Sequence, residues 1–302
     1  MKKSKIVWII IAVCMIGFGA IIGTLALATL NFDFDSLATQ KTISNEHHIL
    51  QNFNNIKINV NTSNVEFVCS ENNECMVVSI DTEKIEHTVT VENDTLLIET
   101  EDNRKWYDYI GIHFGETSLT VHLPKDSYDS LSIKADTSDI TVPKDFTFNT
   151  ACIETDTGDI GFSANMLGVL DISTDTGRID FGIIKAQDII LESDTGDIAF
   201  NSAECENVSI ENDTGDVRFS NTIVTEKISV TTSTGDVSFD YSDAEEISIC
   251  TNTGDVSGRL LSEKVFICDS GTGKIDVPYS MSGGRCEITT DTGDIEIYTN
   301  VK

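Results

Sequence analysis

The sequence predicts an all-β fold: a single-stack β-solenoid (β-helix) of about nine 19–20-residue rungs, with an N-terminal β cap and one transmembrane helix ahead of it. Three observations predict it. A five-residue turn recurs nine times at near-constant spacing, apolar residues recur in register around that turn, and an uncharged run opens the chain.

The elements follow in chain order. Residues 1–5 carry Lys2, Lys3 and Lys5 and read as a cytoplasmic stub. Residues 6–30 contain no charge, Pro or Asn. That run exceeds the roughly 20 residues that span a bilayer as a helix and the roughly 7–15 of a signal-peptide core. Basic flanks stay in the cytoplasm, so the reading is a signal-anchor at the cell membrane, single-pass, with the C-terminal domain extracytoplasmic. Ala26-Leu27-Ala28 resembles a peptidase site and keeps cleavage as the rival reading. Cys14 follows Val13, where a lipoprotein cysteine needs a small residue.

Residues 31–46 form a polar juxtamembrane spacer, and 47–130 hold short runs of alternating apolar and polar residues punctuated by Asn-rich turns. Ile56-Lys57-Ile58-Asn59-Val60 and Leu119-Thr120-Val121-His122-Leu123 are two of them. Period-two alternation is the mark of half-buried strands. A solenoid needs an atypical first unit to cover its open edge, and this section is the candidate. Within it, Asn61-Thr62-Ser63-Asn64-Val65 reads as a worn copy of the turn.

Residues 131–298 are the array, followed by a tail at 299–302. The fullest copy is Asp156-Thr157-Gly158-Asp159-Ile160, and further copies centre on Gly177, Gly196, Gly215, Gly235, Gly254, Gly273 and Gly293. A degenerate first copy has Ser138 in the glycine place. Intervals of 19 or 20 residues separate all nine. Such a period indicates stacked units, each burying its apolar face on its neighbours.

Four columns around the centre are apolar. Seven before it run Leu131, Ala151, Leu170 and onward to Cys286; five before, Ile133, Ile153, Ile172 and onward to Ile288. Two after it, all nine residues are Ile or Val, and four after it Phe dominates (Phe162, Phe181, Phe200, Phe219, Phe239). Each rung is therefore strand, tight turn, strand and a looser return. Gly supplies a positive φ that Ser138 adopts less readily, so the first rung is expected to deviate. Three before the centre, Thr155, Thr174, Ser193, Asn212, Thr232, Thr251, Ser270 and Thr290 form a small polar ladder expected to point inward and bond between rungs. The last rung ends at Ile295-Glu296-Ile297-Tyr298 with no visible cap, and its edge offers pairing to a second copy; the oligomeric state stays open.

The charge narrows the partners. The chain has 20 Lys and Arg against 50 Asp and Glu, a formal charge of −30, and the part after residue 30 stands at −33. Nucleic acid is excluded as a partner, and so are anionic headgroups. At 40% apolar residues in strict register, disorder is excluded too.

The candidate chemistry is sparse. Asp-Thr-Gly also marks aspartic proteases, which bring two such turns together to share a proton. Here the turns stack in series, so repeat geometry explains them. Two Asp files flank the centre: Asp136, Asp156, Asp175, Asp194, Asp213 and Asp291 before it, and Asp139, Asp159, Asp197, Asp216, Asp236, Asp255 and Asp294 after it. At the ~4.8 Å spacing of neighbouring strands, adjacent carboxylates repel by about 0.9 kcal/mol in water. Calcium, which takes six to eight oxygens, is the one ion the files could hold. Arg178, Ser233, Asn252, Gly271 and Lys274 interrupt them, and solvated turn-capping is the favoured reading.

Eight cysteines in an exported chain raise the question of disulfides. Cys69 and Cys75 flank a predicted hairpin tip, and a bridge there stays open; Cys268 and Cys286 sit in apolar columns and read as small buried hydrophobes. Trp106, Tyr107, Tyr109 and Phe114 read as a loop over the first rung, with stacking on a sugar or protein as the alternative. His47-His48 has no third ligand nearby. No catalytic, metal or cofactor residues are assigned, and the chain is not read as an enzyme.

Phe53-Asn54-Asn55-Ile56-Lys57-Ile58, the Leu119–Pro124 strand, Leu131-Ser132-Ile133 and the Thr-Gly-Asp-Ile/Val rungs behind a membrane segment resemble the bacterial putative-adhesin β-helix domain. That family is formally a domain of unknown function, and the resemblance covers about residues 50–298. It implies an envelope-anchored β-solenoid and brings no catalytic residues. The functional expectation is a cell-envelope-anchored, non-enzymatic interaction or scaffold module for an envelope protein or wall polymer. The alternative is a sensor or regulatory ectodomain of an envelope-stress system, which would require a membrane partner because the stub is too short to signal.

Overall fold

The corner dictates the stack. At Gly215 φ is 142°, and a Cβ there would lie 2.0 Å from the carbonyl oxygen of Gly196 on the adjoining turn. A side chain is refused both by the left-handed backbone and by the neighbour. Ser138 is not in the positive-φ region, yet its N–H still donates to Thr157 O at 2.8 Å. The expected deviation of its rung is thus a change of φ that keeps the ladder bond.

The computed structural model describes residues 42–105 and 117–299, with residues 12, 13, 15–19, 21 and 24 as helical positions. Among the described residues no helix is long and apolar enough to cross a membrane. The rest of the expected span at 6–30 lies outside the described residues, as do residues 31–41 and the aromatic cluster of Trp106, Tyr107, Tyr109 and Phe114.

Seven strands precede the array: β1 (Thr42–Ile49), β2 (Asn55–Val60), β3 (Asn64–Cys69), β4 (Cys75–Thr82), β5 (Ile85–Glu92), β6 (Thr95–Asp102) and β7 (Ser118–Leu123). The first begins inside the stretch read as spacer. The first copies supply β8 (Ser127–Thr137), β9 (Ile140–Val142), β10 (Thr147–Thr157), β11 (Ile160–Phe162), β12 (Asn165–Met166), β13 (Val169–Thr176) and β14 (Ile179–Lys185). Then come β15 (Asp188–Thr195), β16 (Ile198–Thr214), β17 (Val217–Ser220), β18 (Thr222–Thr234) and β19 (Val237–Ser242). The last copies give β20 (Glu246–Thr253), β21 (Val256–Leu260), β22 (Lys264–Thr272), β23 (Ile275–Asp276), β24 (Gly284–Thr292) and β25 (Ile295–Thr299).

Together they form an all-β solenoid of about eight turns. The repeat predicts about nine rungs, one more than this count. Parallel register is strict: Ala151 pairs with Leu170, Leu170 with Ile189, Ile189 with Val208, Val208 with Ile228 and Ile228 with Ile247. The return segments pair as a third ladder, for example Ile183–Lys185 against Ser202–Glu204. Inside, the apolar columns of every copy but the eighth are 0–3% exposed, and Phe181, Phe200, Phe219 and Phe239 stack at centroid distances of 4.6, 5.1 and 5.1 Å.

The order of the stack departs from the order of the sequence at both ends. β20 pairs with β24, and β24 with β22; β21 pairs with β25, and β25 with β23. The ninth copy is therefore inserted between the seventh and the eighth, and the eighth is terminal. This corrects the expectation that successive copies lie directly over one another and that Ile295–Tyr298 form the final edge. The interior agrees: Ile275 is 43% exposed, whereas Ile295, its counterpart in the ninth copy, is 0% exposed.

The cap is built the same way. β2 and β3 form a rung on β8 and β9, and β6 and β7 form the next rung outward, all parallel. β5 runs antiparallel on β6, β4 antiparallel on β7, and β1 pairs with β4. The worn copy is a true rung corner, since Asn64 Oδ1 receives the Asp139 N–H at 2.9 Å.

Candidate functional site

The Asp file after the corner is structural. Each carboxylate accepts the backbone N–H of the equivalent residue one rung further on: Asp159 to Asp139 at 2.9 Å, Arg178 to Asp159 at 2.8 Å, and Asp216 to Asp197 at 2.9 Å. The series continues Asp236 to Asp216, Asp255 to Asp236, Asp294 to Asp255 and Lys274 to Asp294, between 2.7 and 3.0 Å. Its order reproduces the exchanged rungs independently of the strand pairing. The Asp236 N–H bond leads in holding the Asp216 carboxyl below the usual range, with Arg218 adding to it against partial burial. The reading of turn-capping by solvated residues identified the capping but not its partner, which lies on another rung. The file before the corner is exposed, from Asp136 to Asp291. Among the described residues no group of three His, Cys, Asp or Glu is placed to hold a metal ion.

The small polar ladder points inward as expected, with Thr155, Thr174, Ser193, Asn212, Thr232, Thr251 and Thr290 buried. Its bonds are to corner carbonyls rather than to one another. Asn212 Nδ2 donates to Gly215 O at 2.9 Å and Thr290 Oγ1 to Gly254 O at 3.2 Å. Thr174, Ser193, Thr232 and Thr251 hydroxyls have no partner among the described residues.

Cys69 and Cys75 are free, and the hairpin between their strands is corrected. β7 lies between β3 and β4, with Leu123 opposite Cys69 and His122 opposite Met76. Two ladder steps of about 4.8 Å put the Cα atoms beyond the roughly 7 Å that a disulfide spans. Burial pushes the Cys75 thiol up to about 12. Cys286 is buried as expected, while Cys268 is only partly buried because its rung is terminal.

Sequence reasoning missed a buried polar cluster in the cap. Asp81 of β4 accepts Asn45 Nδ2 of β1 at 2.7 Å and Ser79 Oγ at 3.0 Å, and His87 Nδ1 of β5 lies 2.5 Å from its other oxygen. Burial pushes the Asp81 carboxyl up, but the bonds from His87, Asn45 and Ser79 outweigh it and hold the group below its usual range. Alternation in β4 and β5 hides these residues in the sequence, because polar residues at inward positions look like register errors. The cluster ties three strands together and leaves no nucleophile presented to solvent: Ser79 is 0% exposed.

A concavity of about 700 Å³ lies beside the cap. Leu50, 95% exposed, stands at its rim, and Phe53 and Tyr128 stack at 6.1 Å in its wall. Asn52, Asn73, Glu74 and Asp126 supply polar groups. Tyr128 donates its hydroxyl to Pro124 O at 3.1 Å. Stacked aromatic rings and carboxamides in one lining fit a partner that is part apolar and part hydrogen-bonding. Leu50 and Phe53 set among Gln and Asn in Leu50-Gln51-Asn52-Phe53-Asn54-Asn55 were the available signal.

Residues 53–297 match the family described as Toastrack DUF4097. The chain is a Toastrack DUF4097 protein. The cap rungs and all nine corners of this Toastrack domain fall inside the match. Among solved structures, a putative adhesin from Parabacteroides merdae shares 12% identity over 86% of this chain and 98% of its own, with a TM-score of 0.55. A putative adhesin from Bacteroides fragilis shares 15% identity over 85% and 97%, with a TM-score of 0.49. These likenesses concern the fold of the Toastrack domain. No curated protein matches the chain.

Proposed function

We propose that this protein is a cell-envelope-anchored, extracytoplasmic, non-enzymatic interaction module, adhesin-like in use, held at the membrane through residues 6–30. The observation that carries the reading is the use made of its acidic residues. The corner file is engaged in rung-to-rung bonding and Asp81 in a closed cap cluster, which leaves ladder faces and the cleft beside Leu50 as the surfaces open to a partner. Solved relatives of this fold named putative adhesins support the same reading. The uncharged run after a basic stub supports the anchor.

Cross-linking of cells carrying the full chain, followed by pull-down, is expected to recover an envelope protein or wall polymer. Leu50→Asp is expected to weaken that recovery at least several-fold without altering the fold, since the side chain is almost wholly exposed. Recovery of nothing from intact cells would sink the reading. Recovery unchanged by the substitution would move the contact to the ladder faces.

A further inference from the structure

We infer that the open end of the solenoid, the β22–β23 edge, is a self-association surface that takes a second copy of this chain, edge to edge about a two-fold axis. Four features of the end argue for this. Among the described residues β22 is bonded on one side only, to β24, and β23 only to β25, so each leaves a row of backbone groups without a partner there. Apolar columns that are closed everywhere else open here. Phe266, Cys268 and Val277 are half-buried, and Ile275 is 43% exposed where its counterparts in the other eight copies are 0–1%. Tyr279 and Met281, 89% and 83% exposed, extend the apolar surface beside them.

Charge selects the occupant. Residues 261–283 hold Glu263, Asp269 and Asp276 against Lys264 and Lys274, a net charge of −1 in a chain of −30. At a net charge of −1, two copies meet here with little like-charge repulsion. An open strand edge meeting its own copy across a two-fold pairs antiparallel and closes at two. The cap offers no continuation of a parallel rung, because β4 and β5 are antiparallel and the interior there holds Asp81 and His87. End-to-tail growth is therefore disfavoured. Fullest overlap of the nine-residue β22 with its copy centres on Cys268 and sets the two thiols opposite each other.

The test uses the full chain in detergent, with mild oxidation and sedimentation. A covalent dimer is expected that Cys268→Ser abolishes and Cys152→Ser, at an exposed lateral cysteine, leaves intact. Ile275→Glu is expected to raise the dimer dissociation constant at least tenfold, and Leu167→Glu, at an exposed side chain away from this end, to leave it unchanged. The circular dichroism of Ile275→Glu should match the parent; if it does not, Met281→Glu, at a side chain that is 83% exposed, replaces it. Two results would overturn the inference: a chain monomeric at all concentrations, or a dimer cross-linked through Cys152 or Cys250 and indifferent to Cys268. A dimer held only through residues 6–30 would show as sedimentation without the Cys268 cross-link, and counts against it.

Discussion

The two ends of this solenoid solve the same problem with different chemistry. At the N-terminal end the stack stops because strand direction reverses: β4 and β5 run antiparallel on the last parallel rung, and β1 lies on the edge of β4. The interior there turns polar, and Asp81 draws Asn45, Ser79 and His87 together. At the C-terminal end the stack stops on a parallel rung with its edge bare. Besides its ladder to β24 and β25, that rung is tied down by an ion pair. Lys264 Nζ, 2% exposed, reaches past the penultimate rung to Asp243 Oδ1 at 2.7 Å, and also donates to Ser262 Oγ. It passes Gly284, which has no side chain to block it. One end is closed by backbone geometry, the other pinned by a long side chain.

In both ends a later segment returns to sit beneath an earlier one. β6 and β7 slide between the β2–β3 rung and the β4–β5 pair, and β24 and β25 slide under β22 and β23. A segment lodged as the penultimate rung has partners on both edges and resists fraying. Repeat stacks lose stability locally, by nearest-neighbour terms, so the two ends should respond to substitution independently.

The largest effect is expected from Gly284→Val. A Cβ there meets the Glu245 carbonyl oxygen at 2.0 Å, so β24 cannot return to its place. A loss of about 4 kcal/mol or more is expected. Hydrogen exchange should show β22 and β24 unprotected while β8 to β15 stay as they were. Uniform loss along the array would break the independence of the ends.

Lys264→Ala should follow, at about 2–4 kcal/mol in urea denaturation, because the half-buried Asp243 loses its cation and the buried lysine stem its packing. The double variant with Asp243→Ala should recover part of that loss. If it recovers none, the pin is packing rather than charge.

Asp81→Asn tests the other end, with an expected loss of about 1–3 kcal/mol confined to β1, β4 and β5. Its pH dependence has a definite sign. The folded carboxyl is held below its ordinary value, so its contribution is complete above the unfolded value near pH 4 and lost as pH falls through the folded one. In acid melts the gap between the parent and Asp81→Asn should therefore hold above about pH 4, narrow as pH falls further, and close only below the folded value.

The smallest effect is expected in the middle. Thr232→Val removes a buried hydroxyl with no partner and should change stability by no more than about 0.5 kcal/mol, or raise it. Asn212→Ala, which loses two bonds to corner carbonyls, should cost about 1–2 kcal/mol in the same assay.

Much of this could be read without coordinates, because a solenoid repeats one local problem. The inward columns, the glycine corner, the strand on either side and the worn copy at Asn61–Val65 all follow from period and alternation. The candidate site was less legible. A carboxylate that caps an amide looks the same in sequence whether that amide lies in its own turn or about 20 residues on, so the role of Asp139 and its successors needed register. The Asp81 cluster needed three strands brought together from outside the repeat. Gly283-Gly284, Lys264 and the missing Asp at Lys274 and Gly271 were visible marks of an altered end, but their meaning depended on the stacking.

The sequence alone determined what a rung is: which residues face inward, where the chain turns and why a side chain is refused there. Only the tertiary structure decided which rung lies on which. The physical reason is that the copies are near-equivalent, so the edge of any rung accepts any other. The order is set by a few contacts that cross rungs, Lys264 with Asp243 over Gly284 above all, and these carry no period.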